Sequence, residues 1–243
     1  MPRQTPVFIV CSPRAGVGKT LVARLLIEYF KTERQPVVGF DANPDNFAMA
    51  DQLPADTAIA SLLDVRGEMA LFDQLVSADG TVKVVDLSAG LFDRFFAVAQ
   101  DIGFVREARQ SGVVPVALYL VDADPRSSQG YRVLRDRLRQ MTLVPVVNTA
   151  IPGLRFRADN LPTAPGGEPP LDIPRLTPLV RGVIARPSFS VSGYMSGQAD
   201  ETTELFGWIR HMFVQFREIE LRMLLANLSP SIDAELRRIV NGR

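Results

Sequence analysis

The sequence predicts an α/β fold: a doubly wound, mostly parallel sheet with helices on both faces, in one domain spanning residues 1–243. Three observations carry that expectation. Short runs of consecutive apolar residues recur along the chain, as in strands buried on both faces rather than half-exposed ones, which alternate. Segments with apolar residues at helical spacing lie between those runs. Finally, the chain of 243 residues is 47% hydrophobic and 22% charged, which is enough apolar material for a large core.

The elements follow in order. Residues 7–11 are the first apolar run, which leads through Ser12-Pro13-Arg14-Ala15-Gly16-Val17-Gly18 into a helical pattern over 19–32. There Leu21, Leu25, Leu26 and Tyr29 recur at helical spacing. Residues 37–40 read as the next strand, with Asp41 where it ends. An Ala- and Leu-rich stretch over 58–76 reads as helix. Residues 82–87 form another strand with Asp86 near its end, and helical material follows over 91–110. Strands are predicted at 116–121 and 143–147, separated by a helix over 127–140.

The regularity breaks at 152–178, a Pro- and Gly-rich stretch that reads as an irregular loop. A short strand at 183–185 is expected to close the sheet. C-terminal helices occupy 200–241: a long one to about 227 and a short one over 231–240. The long one carries Leu205, Ile209, Met212, Phe216, Ile219 and Met223 on one stripe. Trp208, Phe213 and Phe216 read as packing against the sheet or a dimer mate rather than as a membrane contact.

Composition narrows the function classes. The formal net charge is zero, so no overall positive field points to nucleic acid. Five arginines, Arg126, Arg132, Arg135, Arg137 and Arg139, suggest a stripe for nonspecific DNA. The last four do not share a helical face, so a solvated helix is favoured. Cys11 is the only cysteine, which excludes an internal disulfide and any multi-cysteine metal site within one chain; it reads as a small core residue. His211 is the only histidine and lacks a second ligand. No secretory signal pattern and no bilayer-length apolar stretch are present, so a cytoplasmic protein is expected.

The segment between the first strand and helix carries the chemistry. Gly16 and Gly18 permit backbone conformations that aim successive N–H groups at a phosphate, and the helix N-terminus adds its positive dipole end. Lys19 supplies a point charge for the β- and γ-phosphates, and the Thr20 hydroxyl suits a Mg²⁺ ligand. Pro13 stands at the first glycine position of the strict G-x-x-x-x-G-K-[ST] pattern.

Arg14-Ala15-Gly16-Val17-Gly18-Lys19-Thr20 resembles the deviant Walker A motif, K-G-G-x-G-K-[ST], of the ParA/MinD family of P-loop ATPases. Residues 39–45, with Asp41, Asn43 and Pro44, resemble that family's D-x-D-P-Q switch I segment. Residues 84–90 around Asp86 resemble its Walker B and switch II, and Asn148 its strand-end asparagine that reads adenine. The resemblance implies ATP and Mg²⁺ as ligands, held by Ala15 to Leu21 (Ala15, Gly16, Val17, Gly18, Lys19, Thr20, Leu21) with Asn148. It also implies a metal site at Thr20 and Asp86, the latter acting through water. Lys19, Arg14, Asp41 and Asn43 occupy the family's catalytic positions. An ATP-dependent homodimer that positions or regulates a partner protein or cargo is implied as well.

Two departures bear on rate. Arg14 replaces the family's signature lysine, which reaches across the dimer, and its planar fork differs from a compact ammonium. Asn43 replaces the second switch I aspartate and cannot accept a proton from an attacking water. Binding with slow or partner-dependent hydrolysis is therefore expected. The rivals are an ATP-dependent synthetase resembling dethiobiotin synthetase and a pseudo-ATPase scaffold. The Asp41-x-Asn43-Pro44 spacing favours the switch family over the synthetase.

Overall fold

The structure, a computed structural model, describes residues 4–151, 170–197 and 199–241, with side chains described through 225. Seven parallel strands form one sheet in the order β3-β2-β4-β1-β5-β6-β7. In chain order the elements begin with β1 (Thr5–Cys11), α1 (Lys19–Thr32), β2 (Val37–Ala42), α2 (Ala48–Gln52) and β3 (Thr57–Ile59). Next come α3 (Val65–Val76), β4 (Val82–Leu87), α4 (Phe92–Asp101), α5 (Phe104–Gln110) and β5 (Val113–Val121). The remainder is α6 (Pro125–Arg137), β6 (Thr142–Asn148), β7 (Leu171–Ile173), α7 (Pro178–Ile184), α8 (Val191–Ser196) and α9 (Glu204–Asn241).

Strand pleating divides the core in two. Phe8 and Val10 of β1 face one way, where they meet Leu25, Leu26 and Phe30 of α1 and Met212 and Phe216 of α9. Val7, Ile9 and Cys11 face the other way, against α3 to α6 through Phe72, Phe95, Phe104 and Tyr131. A parallel strand covered on both faces is buried at every position, as β4 and β5 are; β5 is apolar throughout, whereas β4 also buries Lys83 and Asp86. Burial also pushes the Cys11 thiol far above its ordinary pKa, which leaves it an inert core residue.

Four sequence expectations need correction. The helix expected over 58–76 begins with strand β3, whose Ile59 pairs in register with Asp41, and α3 starts only at Val65. Asp64 sets that start, because its side chain accepts from Gly67 N at 2.8 Å. The helical stretch 91–110 is two helices, parted at Gly103, which adopts φ 65°. The strand expected at 183–185 is instead the end of α7, which opens with a proline at its N-terminus. The sheet is closed by β7, from within the stretch expected to be irregular. Its other part, 152–169, lies outside the described residues.

The fourth correction is that α9 runs unbroken for 38 residues where two helices were expected. Its expected apolar stripe is buried from Leu205 to Ile219. Phe213 and Phe216 pack on Tyr29 of α1, with ring centroids 5.3 and 5.8 Å away. This helix also covers the β7 edge. Gln215 Oε1 accepts from Asp172 N and its Nε2 donates to Asp172 O, both at 2.8 Å, while Trp208 Nε1 donates to Pro174 O at 2.7 Å. A side-chain amide thus takes the place of a missing neighbouring strand. No described helix is long and apolar enough to cross a membrane.

Candidate functional site

β1 lies at the middle of the sheet, so the loop after it emerges at the carboxyl ends of the strands between β4 and β5. Ligands of open α/β sheets collect there. Gly16 and Gly18 take φ 73° and 103°, left-handed values that a side chain would strain. A Cβ at Gly18 would also stand 2.8 Å from Asn148 Nδ2. That amide donates to Val17 O at 3.0 Å, while Asn148 Oδ1 accepts from Ala150 N at 3.0 Å. Asn148 therefore holds the loop's backbone from the β6 side, a role the sequence reading did not anticipate. Ala15 is exposed at the loop tip, Val17 is buried beneath it, and Leu21 packs partly into the core behind the loop.

Lys19 is the first residue of α1 and is buried. Its Nζ donates to Arg14 O at 2.6 Å, folding the ammonium across the mouth of the loop. Burial lowers its pKa, opposed by the nearby charge of Asp86. Thr20 Oγ1 donates to Asp86 Oδ2 at 2.6 Å. Asp86 ends the apolar part of β4 and pairs in register with Asp41 on β2, so two buried carboxylates stand side by side. Burial pushes Asp86 up to about 6, against the Thr20 hydrogen bond, and the charge of Asp41 adds to the rise.

Asp41 is raised too, again by burial and against hydrogen bonds from backbone N–H groups. Its Oδ2 accepts from Met49 N at 3.0 Å and Ala50 N at 3.1 Å, which binds it to the first turn of α2. Its Oδ1 is buried with no protein partner. An orphaned carboxylate oxygen near a second carboxylate and a hydroxyl is a hard-oxygen set that fits Mg²⁺. Thr20 and Asp86 are the residues that would hold it. Asn43 follows β2, half-buried, and its carbonyl accepts from Asn46 N at 3.3 Å to turn the chain away.

Arg14 stands apart from this cluster. Its Nε lies 3.2 Å from Asp122 Oδ2 and its Nη1 3.2 Å from Asp124 Oδ2, at the carboxyl end of β5 and the cap of α6. Hydrogen bonds from Arg126 hold Asp124 below the usual carboxylate range, with Arg14 adding a smaller pull. The sequence reading missed Asp122 and Asp124, although an acidic residue after a predicted strand was the signal that singled out Asp41 and Asp86. Four of the five arginines of the α6 region are engaged locally. Arg126 pairs with Asp124, Arg135 with Asp136, and Arg132 and Arg139 donate to backbone carbonyls. His211 faces Asp172 at 3.3 Å.

No protein-family model matches the chain, and no curated protein matches it in sequence. Among solved structures, the chain is similar to the MinD cell division protein of Aquifex aeolicus at 17% identity and TM-score 0.46, covering 88% of this chain and 97% of that one. A nucleotide-binding protein from Archaeoglobus fulgidus, in complex with ADP, matches at 15% identity and TM-score 0.38 over 67% of this chain and 73% of its own. A plasmid partition protein from Borrelia burgdorferi matches at 8% identity and TM-score 0.38 over 88% of this chain and 99% of its own. Similarities this distant carry no functional argument, which rests on the residues of the site.

Proposed function

We propose that this chain is a nucleotide-switched ATPase of the ParA/MinD type. It binds ATP with Mg²⁺, dimerises around the nucleotide, and positions or regulates a partner protein or cargo. The observation that carries this reading is the 2.6 Å contact between Thr20 Oγ1 and Asp86 Oδ2 beside a loop whose two glycines hold left-handed conformations. Loop N–H groups and Lys19 would hold the phosphates, while Thr20 and Asp86 would hold the metal. Mg²⁺, when bound, offsets charge that develops on the phosphoryl oxygens.

Hydrolysis in this reading is slow. Asn43 takes no proton from a water, and Arg14 is engaged by carboxylates of its own chain. A nucleotide-binding scaffold without turnover is the second reading, favoured by the same two observations. Titration calorimetry with Mg-ATP and Mg-ADP, gel filtration in each state and phosphate release together test the proposal. Binding that fails in wild type overturns it; binding without any phosphate release leaves the scaffold. Asn43→Asp should speed phosphate release by on the order of tenfold or more if water orientation limits turnover.

A further inference from the structure

Arg14 presents two ends to two places. Its carbonyl accepts from Lys19 at the phosphate loop, while its guanidinium reaches the β5 side and pairs with Asp122 and Asp124. Both carboxylates are fixed by backbone groups independent of Arg14. Asp122 Oδ1 accepts from Asp124 N at 3.0 Å, and Asp124 Oδ1 accepts from Arg126 N at 2.8 Å. The receptor is therefore built in advance, and neither carboxylate is stripped of partners when the guanidinium leaves. Lys83 provides the contrast. It is 1% exposed and joined to Ser77 O and Asp79, so leaving would strand a buried charge. The Arg14 side chain is 35% exposed and keeps water beside it throughout an exchange.

We propose that Asp122 and Asp124 are positioning residues that latch Arg14 on its own chain, and that a nucleotide's terminal phosphate draws it off them. This rests on the nucleotide-switch reading above. The chemistry is an exchange of like partners: a guanidinium fork that pairs with two carboxylate oxygens pairs equally well with two phosphate oxygens. The phosphate comes either from the nucleotide on the same chain or from one on a second copy. ADP, without the terminal phosphate, competes less well for the arginine. The latch thus makes Arg14 a sensor of that phosphate.

The test is the ATP-to-ADP affinity ratio of Asp122→Asn/Asp124→Asn, measured by calorimetry with Mg²⁺. Asparagine keeps an oxygen for Asp124 N and is itself a good helix cap, so both backbone contacts survive. The double variant should prefer ATP over ADP by about fivefold more than wild type, the size expected for releasing a half-exposed ion pair. A gain at protein concentrations where the chain is monomeric assigns the phosphate to the same chain. One that arises only where the chain associates assigns it to a second copy. The latch is overturned if the ratio equals that of wild type, or if the gain persists when Arg14→Ala is added. Wild type that binds neither nucleotide defeats the switch reading itself, and the latch with it.

Discussion

The two flanks of the loop between β1 and α1 place the same residue type in opposite surroundings. On the β4–β2 flank, Asp86 and Asp41 are buried without a basic partner in hydrogen-bonding contact, and both are pushed up in pKa. On the β5–β6 flank, Asp122 and Asp124 share Arg14, and Asp124 also pairs with Arg126, while Asn148 clamps the loop from beneath. In the proposed reading the first pair, with its spare lone pair on Asp41, would receive the metal. The second pair holds the arginine that the proposed latch would release to a phosphate. The loop lies between a flank of carboxylates raised in pKa and a flank whose carboxylates are paired with arginine.

Removing charge from the first flank should break the comparison most visibly. Asp86 titrates at about 6 in the folded chain against 3.8 for the ordinary group, so its folded-state pKa is raised. Its favourable contribution is complete below its unfolded pKa and is lost as pH rises through about 6, leaving a penalty of ~3 kcal/mol at neutral pH. Asp86→Asn should therefore raise stability by about that amount at pH 8 and by little at pH 4, as read by denaturant unfolding at both. The same variant should lose the Mg²⁺ dependence of nucleotide binding. A destabilised Asp86→Asn at pH 8 would mean that this flank is structural.

Next in size is the loop's own cation. Lys19→Ala should weaken ATP binding by about 10- to 100-fold in calorimetry, the range of a lost charge-assisted hydrogen bond. An affinity within twofold of wild type would place the phosphates elsewhere. Smallest is the β6 clamp. Asn148→Ala leaves Val17 O and Ala150 N without that partner and should cost about 1–2 kcal/mol in unfolding free energy. If nucleotide affinity falls much further than stability does, Asn148 touches the nucleotide as well as the loop.

Legibility varied with the kind of signal. Helix α1 and strand β4 were readable to the residue, because amphipathic spacing and a mainly apolar run are local. Strands β3 and β7 were not. Each has three residues and takes its conformation from pairing with β2 or β6, so tertiary pairing overrode composition. The left-handed glycines were legible because no other residue type adopts those angles so readily. The partners of Arg14 were not legible, since Asp122 is 108 residues away and only the β1–β5 pairing brings it close.

By itself the sequence determined the α/β class, the place of the glycine-bearing loop after β1 and the candidate residues Lys19, Thr20, Asp41 and Asp86, because each depends on local spacing or on residue chemistry. Only the tertiary structure decided what those side chains do in the resting chain. It placed Thr20 on Asp86, left Asp41 with an orphaned oxygen, turned Asn148 under the loop and gave Arg14 to Asp122 and Asp124. The reason is physical: the energy of a charge depends on burial and on partners from distant strands, and neither is written in its neighbours along the chain.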